Sequence, residues 1–479
     1  MPLCSAHWFA ASLALLVAAG GCDSDEAAPA RPVEVWQTSG DERLLLERDE
    51  RGATFGAPTD GADAVVIAVD PEQRLQPIEG FGAAVTGSAA YVLSEHLDAS
   101  ARARLLAELF DPEAGIGLSY LRLPLGASDF SLRSYTYDDV PAGEQDPALA
   151  RFSLDPEREH VLPVLREILA VAPGTRIMGS PWSAPAWMKS SGSLNGGALL
   201  PEHYPAYAEY LARTLEAFQA EGVPIGALTV QNEPLHGSAA YPTMEMSAQE
   251  QAAFIGDHLG PLLESRGLDP ALVAYDHNWD RPDYPSAVLA DPEAARYVDG
   301  AAFHCYGGDV SAMGGVAAAF PEAALYFTEC SGGDWATDFS TNLQWNVRNL
   351  VVGTTRNGSR TALLWNLALD QDGGPTNGGC QDCRGVVTVD SRTGEVTRNV
   401  EYYVLAHAAK FVRPGAHRIG SDDVARAGVQ NVAFRHADGT TVLLALNTTD
   451  VLRKIEVRVG GEAFTYRLYP RSVATFRWS

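Results

Sequence analysis

Two glutamates offer chemistry by type and position. Glu233, in Gln231-Asn232-Glu233-Pro234, closes an apolar run over residues 225–230, and Glu329 closes another over residues 324–328. Each run reads as a buried strand. Carboxylates at the C-terminal ends of different parallel strands can face one substrate bond. One acid and one nucleophile or base is what cleavage of a glycosidic bond requires. A solvated loop position is the ordinary fate of a glutamate after a strand, so the pair gains weight only from its surroundings.

Those surroundings are aromatic and polar. Asn232 can donate to a sugar hydroxyl. Ser180-Pro181-Trp182-Ser183-Ala184-Pro185-Ala186-Trp187 follows a third run, and Trp182 and Trp187 could offer indole faces to a pyranose. Trp365-Asn366 ends a further run as a floor, and His304-Cys305-Tyr306 ends another, with Tyr306 as a donor to the nucleophile. Arg122 ends a second run and could hold Glu329 ionised. Any of these tryptophans taken singly reads more readily as core than as a sugar platform, and His304 more readily as hydrogen-bonded filler than as a catalyst.

Positioning these residues calls for a repeating architecture. Eight strand candidates cover residues 78–85, 118–125, 176–180, 226–231, 271–276, 300–304, 324–328 and 362–367, with helix-length patterns between them, such as 97–109, 157–171, 204–219 and 248–265. Strand and helix alternating to eight argue a closed (β/α)8 TIM barrel. No Gly-rich dinucleotide fingerprint follows the first strand, which disfavours an open doubly wound sheet. Short alternating segments before residue 70 and after 411 argue an accessory antiparallel β-sandwich domain built from both chain ends. The expected organisation is a signal over 1–22, a linker over 23–33, sandwich strands over 34–75, the barrel over 76–410 and the C-terminal sandwich over 411–479.

The chain has 479 residues and a net charge of −26. Residues 411–479 carry ten Lys/Arg against six Asp/Glu, so the acid lies in the body. That disfavours nucleic acid and polyanions as partners, so no nucleic acid is expected, and it fits a neutral carbohydrate. The apolar stretch 9–19 is too short to span a bilayer. With Gly20-Gly21-Cys22 after it, it reads as an export signal of lipoprotein type. The expected location is therefore exported: periplasmic, cell-surface lipoprotein or secreted. Cys22 is the one expected membrane attachment. No Lys or Arg precedes the stretch, and Ala19 stands where such signals usually carry Leu. In an exported protein Cys380 and Cys383 are expected to form a local disulfide. Zinc would need two further ligands, and the sequence offers no matching CxxC or HxxxH, so no metal and no cofactor is expected. Cys305 and Cys330 read either as free apolar fillers or as a bridge. Nothing in the sequence indicates oligomeric state.

Taken in order, Gly80-Phe81-Gly82-Ala83-Ala84-Val85-Thr86, Leu121-Arg122-Leu123-Pro124, Ala127-Ser128-Asp129-Phe130-Ser131, Tyr135-Thr136-Tyr137-Asp138-Asp139, Ser180-Pro181-Trp182, Asn232-Glu233-Pro234, His304-Cys305-Tyr306, Thr328-Glu329 and Trp365-Asn366-Leu367-Ala368-Leu369 resemble glycoside hydrolase family 30, which holds glucosylceramidases and β-1,6-glucanases. The resemblance implies a retaining β-glycosidase acting by double displacement, with Glu233 as acid/base, Glu329 as nucleophile and no cofactor. Glucosylceramidases of the family carry an Asp where this chain has Gly87. The segment Tyr275-Asp276-His277-Asn278-Trp279-Asp280 is more similar to the bacterial β-1,6-glucanase branch. The resemblance thus favours β-1,6-glucan or a related oligosaccharide, with glucosylceramide as the alternative and a non-catalytic glycan-binding protein as the other-class reading.

Overall fold

A computed structural model describes residues 31–59 and 63–479. The expected export segment, Cys4 and Cys22 lie outside the described residues.

Eight parallel strands form the barrel: β1 (Gly80–Ala84), β2 (Tyr120–Leu125), β3 (Arg176–Pro181), β4 (Ala227–Thr229), β5 (Ala271–Asn278), β6 (Val298–His304), β7 (Ala324–Glu329) and β8 (Thr361–Leu364). Their hydrogen-bonded order runs from β7 down to β1 and then to β8. Closure between β7 and β8 is lighter. It consists of a parallel bridge between Leu325 and Ser359 and a Thr361 hydroxyl that bonds both the N–H and the C=O of Phe327. Inward side chains plug the lower barrel, large against small: Tyr120, Met178 and Tyr326 beside Ala227, Val273, Ala302 and Leu363. The barrel is a packed core, so a substrate can be met only at its rim. Two close approaches demand glycine. A Cβ at Gly82 would strike the Tyr120 carbonyl, and one at Gly300 the Ala324 carbonyl.

The outer helices carry their own start signals. Asp98 caps Ala99–Phe110 through the Ala101 N–H, and Ser247 with Glu250 forms a capping box before Ala248–Phe254. The expected helix over 248–265 is continuous, but its middle, Ile255–Leu259, is π-helical. There Gly256 leaves no room for a Cβ against Glu293 and Ala294.

The sandwich draws on both ends. Pro32–Ser39 pairs antiparallel with Ser472–Trp478. The long strand Val65–Pro77 pairs through its first half with Arg453–Val459 and through its second with His417–Ser421. The Arg453–Val459 pairing is parallel, so the expected antiparallel sandwich contains one parallel seam. Val65–Pro77 lies between these two strands, and Val69 pairs with Ser421 on one edge and Val459 on the other. Val35, Ile67, Phe464, Phe476 and Trp478 lie in the core between the faces. His417–Ser421 escapes a sequence reading because His-Arg-Ile-Gly-Ser does not alternate.

Small elements follow β7 and β8 at the barrel rim: strands Ala368–Asp370, Val387–Val389 and Val396–Arg398 after β8, and a ribbon pairing Gly332–Gly333, after β7, with Cys383–Arg384. At two or three residues each they fall below the length at which alternation is readable.

Candidate active site

The C-terminal rim of the barrel gathers buried charge around one guanidinium. Arg122, fully buried on β2, donates to Glu329 on β7, to Asp276 on β5 (2.7 Å), to Asn232 after β4 (2.6 Å) and to Ser180 on β3 (3.2 Å). It thereby spans five strands. The Trp182 and Trp365 rings, stacked with centroids 5.1 Å apart, flank it at 4.8 and 5.5 Å. Tyr306 donates to Glu329 Oε1 at 3.0 Å. Asn232 spends its amide oxygen on Arg122, which leaves its NH2 as the donor for a ligand.

Asp276 is the residue that a sequence reading passes over. Fully buried, it accepts from Arg122, Ser180, Thr229 and Thr328, each at 2.7 Å, and from His304 at 3.0 Å. Burial alone would neutralise it, but Arg122 and His304 hold its pKa well below the usual carboxylate range. The available signal was its place at the end of the fifth strand, next to His277.

His304 sits between carboxylates. One ring nitrogen meets Asp276 at 3.0 Å and the other Glu233 at 3.1 Å, with Glu329 at 3.9 Å. Burial pulls the imidazole toward neutrality, yet Glu329, Asp276 and Glu233 outweigh it and raise its pKa to about 9. A doubly protonated ring has no lone pair for a metal. Glu233, His304 and Glu329 have ligand atoms within 4.8 Å of one another, but with His304 and Arg122 as counter-charges the trio suits proton transfer better than coordination.

Burial, helped by Glu233, lifts the Glu329 carboxyl against the pull of His304 and Arg122. Glu233 is somewhat more exposed and is drawn below its ordinary range by His304 and then His277. Charge alone thus favours a shared proton on Glu329. Hydrogen bonding favours Glu233, and it decides where a proton fits. Arg122 and Tyr306 fill both oxygens of Glu329, whereas Glu233 is engaged at Oε1 alone. Two carboxyls this close titrate as one system.

Backbone strain gathers here too. The bias of a residue before proline points to extended backbone, yet Glu233 has φ +44°. Tyr275, Asp276 and Asn366 share the left-handed region. Such residues cost about 1–3 kcal/mol each and persist where surroundings fix them. For Glu233 the fixing bonds are its own N–H to the Asp276 carbonyl (3.0 Å) and the Asn232 N–H to the Pro181 carbonyl (2.9 Å).

The two glutamates open into a cleft of about 430 Å3 whose walls include Trp182, Trp365, Asp129 and Tyr241. Asp129, between Ser128 and Phe130 after β2, is a cleft residue whose role strand-end position does not reveal. Burial, then Glu329 and Glu233, push its pKa well above the carboxylate range. Trp335, 56% exposed, stands at the mouth on the Gly332–Gly333 ribbon. Trp187 does not join Trp182 in a stacking face. It packs in the core, with its indole N–H on Asp138 at 3.0 Å. Gly87 does not line the cleft either. It borders a separate depression with Ser131 and Tyr135, so the contrast drawn at that position has no geometric footing in the site.

Cys305 is bonded to Cys330, tying the residue after His304 to the residue after Glu329. Cys380 is bonded to Cys383 beside Trp365, as a local bridge. The free-thiol reading of Cys305 and Cys330 is thereby excluded.

Comparison with known proteins agrees with this geometry. The model of the glycosyl hydrolase family 30 TIM-barrel domain matches residues 78–412, and that of the family 30 β-sandwich domain matches residues 415–476. An endo-1,6-β-D-glucanase of Neurospora crassa is 35% identical over 442 residues, covering 88% of this chain and 90% of its own. The lysosomal acid glucosylceramidase of Mus musculus is 29% identical over 411 residues, covering 80% and 77%. Among solved structures, the endo-β1,6-glucanase BT3312 has a TM-score of 0.86 at 34% identity, covering 94% of this chain and 99% of its own.

Proposed function

Because this chain belongs to glycosyl hydrolase family 30 and is a glycoside hydrolase, we propose that it cleaves internal β-1,6 linkages of glucan with retention at the anomeric carbon. Glu329 is the nucleophile and Glu233 the acid/base. The observation that carries this reading is the spacing: one oxygen of each carboxylate lies within 4.8 Å of the other. Retention needs carboxyls about 5–5.5 Å apart, and inversion about 6.5–9.5 Å, to admit a water.

The steps follow from the donors. Arg122 and Tyr306 keep Glu329 ionised and aim its oxygens. A β-glucosyl unit rests on the Trp182 and Trp365 indoles, held by the Asn232 amide and the Asp129 carboxyl. Glu329 attacks the anomeric carbon, the glycosidic C–O bond breaks, and the Glu233 proton passes to the leaving oxygen. The charge left on Glu233 is met by His304 at 3.1 Å. Ionised Glu233 then takes a proton from water, which displaces Glu329 and frees the sugar. Glu233 begins this second step as the base its first step made it.

Support for β-1,6-glucan over glucosylceramide comes from the relatives. Endo-1,6-β-D-glucanases of Neurospora crassa, Aspergillus fumigatus and Trichoderma harzianum are each 35% identical, against 31% for a putative glucosylceramidase of Caenorhabditis elegans and 29% for the murine glucosylceramidase. Product analysis on β-1,6-glucan, β-1,3-glucan, glucosylceramide and an aryl β-glucoside side by side tests it. Release of oligosaccharides from β-1,6-glucan is expected, and preferred release of ceramide would replace this reading. Binding to β-1,6-glucan with no product from any substrate would favour the glycan-binding alternative. The apolar segment 9–19 and Gly20-Gly21-Cys22 support export with a lipid on Cys22. Labelled palmitate should enter the wild-type protein and not a Cys22→Ala variant.

A further inference from the structure

At the barrel end opposite the carboxylates, a cleft of about 460 Å3 lies where barrel meets sandwich. One wall is the end of the sandwich strand Val65–Pro77 with Arg418 from His417–Ser421. The other is the chain entering β8, with Arg356 and Arg360. Three arginines line one space in a chain of net charge −26. Pro321, Ala323 and Leu325 supply an apolar floor.

The charges are poorly compensated. Arg360 meets Glu79 at 3.3 Å, but Glu79 is shared with Arg176 at 2.9 Å. Arg356 uses Nε and Nη2 on neutral acceptors, namely the Asn431 backbone and side chain, Ser421 and the Asp422 carbonyl. The Asp422 and Asp423 carboxylates reach it only through space. Arg418 gives one Nη1 bond to the Arg356 carbonyl at 3.1 Å, and its Nε is buried with no partner. Among the described residues neither Arg356 nor Arg418 has a carboxylate within ion-pair distance. Burial, then Arg356, bring the Arg418 pKa down to about 10, the mark of a cation short of an anion. A buried donor left unmade is costly, and a guanidinium fork fits an oxyanion with two bonds.

We propose that this seam binds a small inorganic oxyanion of the phosphate or sulfate type, held by Arg418 and Arg356 with Arg360 at the rim, and that the anion fastens the sandwich to the base of the barrel. The site is independent of glucan cleavage, so its test does not depend on the substrate reading.

Equilibrium dialysis of the full chain against labelled phosphate, at constant ionic strength in sodium chloride, reads binding directly. One phosphate per chain should bind saturably in the low millimolar range or tighter, unlabelled sulfate should compete, and Tm should rise with the same midpoint. Arg418→Met should weaken binding at least about tenfold while leaving turnover at the distant carboxylates unchanged. Arg418→Lys, which keeps the charge and loses the fork, should fall between them, and Arg360→Gln serves if Arg418→Met does not fold. A salting effect on Tm would be unsaturable and equal in all variants. No saturable binding to the wild type, or binding undiminished in these variants, would overturn the proposal.

Discussion

Exchanging Glu329 for Gln should abolish glucan turnover, with a loss of at least about 10^4-fold in kcat, while leaving the fold intact. Glu233→Ala should spare the first step on substrates with good leaving groups, and azide should restore turnover with formation of a glycosyl azide; no rescue would reassign the acid/base. His304 gives a pH dependence with a definite sign. Its pKa rises from 6.5 to about 9 on folding, so the stability it lends is complete below pH 6.5 and is lost as pH climbs through 9, up to about 3 kcal/mol. Denaturant titrations of wild type and His304→Asn at pH 6 and 10 should show that difference shrinking. At this scale the sequence was legible where residues stood at strand ends: Glu233, Glu329, Tyr306 and Trp365 line the cleft, and Arg122 and His304 lie buried behind it. It was illegible where a role depends on direction. Trp187 turns inward to Asp138, and Asp276 becomes the hub of the network only because β5 aims it beneath His304.

Elements explain how the cleft is framed. The ribbon pairing Gly332–Gly333 with Cys383–Arg384 carries Trp335 to the mouth, and Arg384 braces it through Glu401 at 2.9 Å and through the Gly333 and Ala336 carbonyls. An exposed indole held at a cleft mouth suits a second pyranose beyond the reacting one. Trp335→Ala should lower kcat/KM on longer β-1,6-gluco-oligosaccharides by about tenfold and flatten the gain with chain length, with little change on the shortest substrate cleaved. An unchanged dependence on chain length would remove Trp335 from substrate binding. The eight barrel strands could be read from apolar runs because every one is buried on both faces. The ribbon and the small three-stranded sheet could not, since their strands hold two or three residues and owe their pairing to tertiary contact.

On the scale of the whole molecule, the barrel and sandwich are one folding problem. Val65–Pro77 leaves the sandwich to enter β1, and Pro32–Ser39 finds its partner at Ser472–Trp478. Deleting residues 413–479 would strip Val65–Pro77 of both its neighbours and Pro32–Ser39 of Ser472–Trp478, and insoluble expression is expected. The milder Phe476→Ala should cost about 3–5 kcal/mol by opening the core shared with Val35, Ile67 and Phe464. Contributions from both chain ends were readable in the alternating segments. The parallel seam was not, because pairing sense depends on where residues 65–77 lie in space. The account rests on two carboxylates close enough for one to bond to sugar. Proton NMR of β-1,6-gluco-oligosaccharide hydrolysis, followed from the first turnovers, tests that directly. The first reducing end formed should be the β-anomer, with the α-anomer appearing only by later mutarotation. An initial α-anomer would contradict it.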